Sequence, residues 1–161
     1  MMNLKRLLVF FGISLLGFAQ SSKYATQVLA ETLHVDEPAL ALGAPDGSYA
    51  GIELYGNLDL EISVTNGEGD DLAVYAKRPT YGILPETMNY AVFAPAEGGE
   101  WKFIGAGSGA EEPESFDLGD IQSAEKVRIV FKDPTDIEVA KPTRAYPQEY
   151  KMGIDAVEAL N

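Results

Sequence analysis

The chain has 161 residues, no Cys and one His, with 12 basic and 25 acidic side chains for a formal charge of −13. Disulfide and cysteine chemistry are excluded by composition. An excess of acid this large is repelled by phosphate backbones and anionic lipid surfaces, so nucleic-acid and membrane-surface roles are set aside, while neutral ligands and divalent cations are favoured.

Residues 1–19 read as a secretory signal peptide. Lys5 and Arg6 form a short positive region, and Leu7 to Leu16 form an apolar run too short to span a bilayer, which takes roughly 20 residues. Gly17-Phe18-Ala19 supplies small residues for cleavage after Ala19. Removing this leader, which holds two basic and no acidic residues, leaves 142 residues with 10 basic and 25 acidic side chains, a net of −15. Residues 20–161 are then one domain, exported to a periplasm or to the cell surface. A domain of this size buries roughly two-thirds of its surface on folding and needs no disulfide.

Taken in order, Tyr24 to Leu29 is the first strand candidate, and Thr32 to Leu42 is irregular. Pro45-Asp46-Gly47 is a strong turn signal. Tyr49 to Tyr55 reads as a strand. Leu58 to Thr65 alternates apolar and polar without a fault, the period of a strand with one wet and one dry face. Asn66 to Asp71 carries two glycines and three acids. Leu72 to Lys77 is apolar on both faces, as an interior strand is. Leu58 to Lys77 is therefore expected to form a hairpin-like unit. Met88 to Phe93, Trp101 to Ile104, Phe116 to Leu118, Lys126 to Phe131 and Gly153 to Leu160 complete the strands. Trp101 and Phe103 share a face, expected to be the core face, whereas Arg128 and Lys132 point away from Val127, Ile129 and Phe131. Arg78 to Thr87, Gly105 to Glu114 and the long Asp133 to Met152 segment read as loops. About eight short strands and no convincing helix give an all-β fold, a two-sheet sandwich or jelly roll.

Two acidic turns have the chemistry of a calcium site, which takes six to eight oxygens from carboxylates and turn carbonyls. One holds Asp46, the other Glu68, Asp70 and Asp71. An EF-hand is excluded, because a loop from Asn66 has Asp71 rather than Gly at its sixth position and Lys77 rather than Glu at its twelfth. Acids of this kind equally shape turns by capping their own backbone. For a sugar, whose ring has an apolar face and a rim of hydroxyls, the loop residues Tyr81, Tyr146 and Tyr150 offer flat rings, with Arg78, Lys141, Arg144 and Gln148 as polar company.

Four stretches together resemble one known family. They are Ala41-Leu42-Gly43-Ala44-Pro45-Asp46-Gly47, Gly67-Glu68-Gly69-Asp70-Asp71-Leu72-Ala73-Val74-Tyr75, Gly98-Gly99-Glu100-Trp101 and the closing Gly153-Ile154-Asp155-Ala156-Val157-Glu158-Ala159-Leu160. Their order and spacing are similar to the galactose-binding-like jelly rolls of bacterial exported proteins, relatives of the discoidin and factor V/VIII C-type domains. The resemblance implies a β-sandwich of about eight strands, a structural calcium ion, and ligand binding by loops at one end. It also implies that an early-turn Asp and a last-strand acid meet at the ion, here Asp46 with Glu158 or Asp155. The long, Lys-, Arg- and Tyr-containing 133–152 segment departs from the pattern.

Catalysis has little support. His34 lies in an irregular stretch, and no Gly-x-Ser-x-Gly elbow, His-Glu-x-x-His run or phosphate-cradling loop occurs. A pair of glycosidase-like carboxylates cannot be picked from 25 acids. The expectation is a non-catalytic exported module that binds glycan through Tyr81, Arg144, Tyr146 and Tyr150, with calcium held by Asp46, Asp70, Asp71, Asp155 and Glu158. The alternative is a protein-binding or adhesive surface or envelope domain on the same scaffold.

Overall fold

Two segments that the sequence divides at Gly56 run as one 16-residue strand, and the whole fold bends around it. The computed structural model describes residues 22–78, 89–110, 112–132 and 151–161. Its strands are β1 (Gln27–Val28), β2 (Leu33–Asp36), β3 (Ala50–Thr65), β4 (Leu72–Lys77), β5 (Asn89–Pro95), β6 (Trp101–Gly107), β7 (Glu114–Phe116), β8 (Ser123–Lys132) and β9 (Lys151–Ala159). One 3-10 turn, Pro38–Ala41, is the helical element among the described residues.

All pairings are antiparallel, in the order β6-β5-β8-β3-β9-β4-β7. The first part of β3, from Ala50 to Glu53, pairs with β9. The second, from Asn57 to Thr65, pairs with β8. One strand thus serves both layers of a sandwich, a known way of turning a corner between sheets. The crossed order, with β8 inserted between β5 and β3 and β9 between β3 and β4, is that of a jelly roll. The all-β sandwich expected from the strand pattern is the fold observed.

The corner lies at Tyr55 and Gly56. Tyr55 takes a left-handed φ of 66°. A Cβ at Gly56 would stand 2.6 Å from the His34 carbonyl oxygen and 2.9 Å from that of Glu53. Only glycine lets β2, which is bulged between Leu33 and Val35, lie this close to the bend. Gly56→Ala is expected to destabilise the domain by about 2 kcal/mol, because backbone oxygens cannot yield as a side chain can; chemical denaturation measures this.

Between the layers, Leu58, Leu60, Ile62 and Val64 of β3 join Tyr90, Val92 and Ala94 of β5 and Val127, Ile129 and Phe131 of β8. From the other layer come Leu72, Val74 and Ala76 of β4, Phe116 of β7 and Met152, Ile154 and Val157 of β9. Each fully buried large side chain contributes about 1.5–3 kcal/mol relative to exposure. Tyr90 and Phe116 meet edge to face across the core, with ring centroids 6.1 Å apart. The wet–dry alternation of β3 holds from Leu60 onward, with Glu61, Ser63 and Thr65 exposed, while Asp59 on the same side as these is buried.

The Leu58 to Lys77 unit is not a hairpin. The strands β3 and β4 do not pair, because β9 lies between them. The 66–71 connection instead crosses from one layer to the other. Its register is fixed by Asp71, whose buried carboxylate turns inward to accept hydrogen bonds from the Gly67 and Leu118 N–H groups. Alternation along a strand identifies its two faces but not its neighbour.

Candidate binding site on the outer sheet face

Strand alternation places Tyr90, Val92 and Ala94 of β5 inward and Phe93 outward. Phe93 is directly opposite Phe103 on one side and Arg128 on the other. The two phenyl rings meet edge to face with centroids 5.7 Å apart. Trp101, two residues before Phe103, lies across from Pro95. The outer face of β6, β5 and β8 therefore carries an aromatic trio bordered by two cations, Lys126 and Arg128.

Trp101 and Phe103 do share a face, but it is the outer one, which corrects the expectation that they belong to the core. Phe103 is 52% exposed and Trp101 is partly buried. The core needs no large residue from β6. Gly107 is pressed against Tyr90, whose ring would come within 2.3 Å of an added Cβ, and Ile104 packs at the core margin.

The cations hold the indole in place. The Arg128 guanidinium carbon lies 4.5 Å from the Trp101 ring centre and the Lys126 ammonium 5.0 Å from it, both within cation–π range. Arg128 is itself fixed by Asp59, directly opposite on β3. Its Nε and Nη2 donate to the two carboxylate oxygens at 2.8 and 2.6 Å, the paired geometry that only guanidinium gives. The Asp59 side chain is 1% exposed and accepts a further bond from Asn57 Nδ2 at 2.8 Å. The bond to Asp59 raises the Arg128 pKa above its already high value, so the cation is permanent. The sequence carries Asp59 and Arg128 as one more acid and one more base. Their pairing depends on the β3–β8 register, which no local pattern encodes.

Flat apolar rings beside fixed hydrogen-bond donors are the chemistry that fits a sugar. The Phe93 and Phe103 rings pack on each other and the guanidinium is anchored by Asp59, which reduces what must be ordered on contact.

The loop residues assigned to ligand binding, Tyr81, Arg144, Tyr146 and Tyr150, lie outside the described residues, as do Lys141 and Gln148. The described ends of those two segments are close together. Asn89 is the register partner of Lys132, and Lys77 that of Gly153. Asn89 is the first residue of β5. Trp101, paired with Pro95, stands at the opposite end of β5.

The five acids assigned to calcium fall in three places. At the first, the Asp155 carboxylate on β9 is 3% exposed and accepts the N–H groups of Asp46 and Gly47 at 3.0 and 2.9 Å. The early turn and the closing strand thus meet, as the resemblance implies. The Asp46 carboxylate turns back to accept the Ser48 N–H at 2.8 Å. At the second, buried Asp71 accepts Gly67 N–H, Leu118 N–H and Asn161 Nδ2 at 2.7, 2.9 and 2.8 Å, while the neighbouring Asp70 is exposed and its carbonyl accepts a bond from Asn161. At the third, Glu158 accepts the Lys23 ammonium at 2.6 Å and the Tyr75 hydroxyl at 2.8 Å. Among the described residues no three acid or imidazole side chains gather to hold a metal. The physical reason is that the Asp46, Asp71, Asp155 and Glu158 carboxylates point at N–H, O–H and ammonium donors, not at one another.

Their titration follows. The hydrogen bond from Lys23 holds the Glu158 carboxyl below its usual range, against the opposing effect of burial, and Glu158 in turn pushes the Tyr75 hydroxyl up to about 12. Burial alone would raise Asp71, but the bonds from Leu118, Gly67 and Asn161 outweigh it and its pKa is lowered. A further internal carboxylate, unforeseen from sequence, is Glu114 on β7. It accepts the Tyr90 hydroxyl at 2.7 Å, the Ser108 N–H and hydroxyl at 2.8 and 3.0 Å, and the Gly109 N–H at 2.9 Å. His34 sits on the exposed β2 edge with Nδ1 3.9 Å from a Glu53 oxygen.

No family model and no curated protein matches the chain. Three solved structures are similar to it at low identity. A mutant of a family 29 carbohydrate-binding module is 12% identical, with 85% of this chain and 80% of that chain covered and a TM-score of 0.45. A family 32 module produced by Clostridium perfringens, in complex with GlcNAc-α-1,4-galactose, is 10% identical, with 86% and 90% covered and a TM-score of 0.45. A family 32 module from a family 31 glycoside hydrolase of Clostridium perfringens is 13% identical, with 85% and 90% covered and a TM-score of 0.49.

Proposed function

We propose that this chain is an exported, non-catalytic glycan-binding module that contacts its ligand with the outer face of β5, β6 and β8. The observation that carries the reading is the outward-facing aromatic trio, exposed Phe103 with the partly buried Phe93 and Trp101, set beside an Arg128 guanidinium that Asp59 anchors. Trp101 and Phe103 stack against the apolar faces of sugar rings, and Arg128 and Lys126 donate to ring hydroxyls. A strongly acidic surface elsewhere keeps the module from adhering to anionic polymers. Export rests on the leader read in residues 1–19, and N-terminal sequencing of the secreted protein should begin at Gln20. Among the described residues, no helix is long and apolar enough to cross a membrane.

Binding to a panel of immobilised polysaccharides tests the reading. Phe103→Ala is expected to weaken binding about tenfold, the loss of one stacked ring, with an unchanged melting temperature because the ring is exposed. A wild-type protein that binds no polysaccharide removes the reading. Retained binding in Phe103→Ala and Trp101→Ala, with loss in Tyr146→Ala and Tyr150→Ala, transfers the contact to those tyrosines.

One observation favours a second reading, a protein-binding or adhesive domain. Phe103 lies on β6, which ends the strand order and has one unpaired edge in the described structure, and such edges accept strands from partners. Capture of a cell-envelope protein that is lost in Phe103→Ala, without any glycan binding, selects it.

A further inference from the structure

The acids that the galactose-binding-like resemblance assigns to calcium do not fit that ion, and we infer that the domain closes the same corner with donors from its own chain. Calcium requires carboxylate and carbonyl oxygens converging on one point. Here the carboxylates that would converge are turned to donors of the protein itself. Both Asp155 oxygens accept backbone N–H groups of the early turn, and the Asp46 oxygen is folded back on Ser48.

The cation's place at Glu158 is taken by Lys23. The chain from Lys23 to Ala25 runs beside the end of β9. The Ala25 N–H donates to the Val157 carbonyl at 3.0 Å and the Ala159 N–H to the Lys23 carbonyl at 2.6 Å. Tyr24 and Glu158 form a bridge pair between them. This strap delivers the Lys23 ammonium to Glu158, where the Tyr75 hydroxyl completes the set of donors. It also reaches the early turn, since the Gly43 N–H donates to the Ala25 carbonyl at 3.1 Å. The strap, the early turn and the closing strand are thereby tied at one corner by hydrogen bonds and one ammonium. Lys23 is 60% exposed at its side chain and Glu158 12%, so the charge is supplied from the solvent side to a nearly enclosed carboxylate. A divalent ion arriving at Glu158 would compete with the Lys23 ammonium for the same oxygen, and at Asp155 it would meet a carboxylate whose two oxygens already hold the early turn through its backbone N–H groups.

The test is a set of thermal melts of the purified protein in calcium chloride and in chelator, with isothermal titration of calcium alongside. An extracellular calcium site of ordinary affinity would raise the melting temperature by roughly 2–6 °C at about 2 mM ion. The expected result is no shift in the wild type and no heat of calcium binding. Lys23→Met should lower the melting temperature in both buffers equally. A calcium-dependent rise that persists unchanged in Asp46→Asn and Glu158→Gln also supports the inference, since the ion then sits elsewhere. A rise that either variant abolishes overturns it. Asp46 is exposed and Glu158→Gln keeps the shape of its side chain, and circular dichroism checks that both variants fold.

Discussion

Replacing Arg128 by Ala is expected to lower the stability of the domain by about 3 kcal/mol and to abolish binding at the outer face. The cost arises from what remains behind. Asp59 is 1% exposed at its side chain, and Arg128 supplies both of its charge-assisted bonds. Removing one partner of such a pair leaves a buried charge without its counter-ion, an effect of roughly 3–5 kcal/mol where burial is complete. The guanidinium itself is 25% exposed at its side chain, and Asn57 still donates to Asp59, so the lower end applies. For a domain of this length the melting temperature should fall by roughly 6–12 °C. Arg128→Lys should not restore stability, because an ammonium cannot make two parallel bonds to the carboxylate. The double variant Asp59→Asn with Arg128→Met separates the two effects, since it removes the orphaned charge as well. It should recover part of the stability and none of the binding. An Arg128→Ala protein as stable as the wild type would show that the pair contributes nothing and that Arg128 is not held in place.

Asp71→Ala is expected to cost about 3 kcal/mol, measured by urea denaturation at neutral pH. Its carboxylate satisfies two backbone N–H groups, of Gly67 and Leu118, and the Asn161 amide. Each donor left unpaired out of water costs about 1–3 kcal/mol, and the Leu118 N–H is enclosed. The same residue makes stability depend on pH. The folded-state pKa values of Asp71 and Glu114 are both lowered, by hydrogen bonds that together outweigh burial. A group depressed in the folded state contributes its full stability above the ordinary carboxylate range, near pH 4, and loses it as the pH falls through the folded value. The wild type should therefore be most stable above about pH 5 and unfold cooperatively in acid. In Asp71→Ala the neutral-pH stability is lower and the acid limb shallower, because one of the protonation sites that drives unfolding is gone. An acid limb of unchanged slope would remove Asp71 from that role.

Much of the architecture is legible along the chain, because strand alternation is local. Leu58, Leu60, Ile62 and Val64 declare a dry face, and the structure buries all four. Val127, Ile129 and Phe131 do the same, with Arg128 on the other side as expected. The Pro45-Asp46-Gly47 turn is equally legible, and Gly47 takes the left-handed φ of 83° that such a turn needs. The missed elements have a common cause. The strand β2 is short, mostly exposed and bulged, so it has no periodic signature. The union of two strand segments into β3 is hidden by Gly56, which reads as a break and acts as a bend.

The site is less legible than the fold. Trp101 and Phe103 were identifiable as one face, but a two-residue period cannot say whether that face looks in or out. Burial of Tyr90 and Phe116, with Gly107 leaving room for Tyr90, decided it. The pairing of Asp59 with Arg128, 69 residues apart, exists only once β3 and β8 are in register.

By itself, the sequence determined the class of fold, the positions of most strands, the acidic surface and the absence of cysteine chemistry, since each depends on residue type and short-range spacing. The tertiary structure alone decided which strands are neighbours, which aromatic face meets solvent and where each carboxylate finds its donors. Those depend on contacts between residues far apart in the chain, whose register is set by the packing of the whole core and not by any one segment.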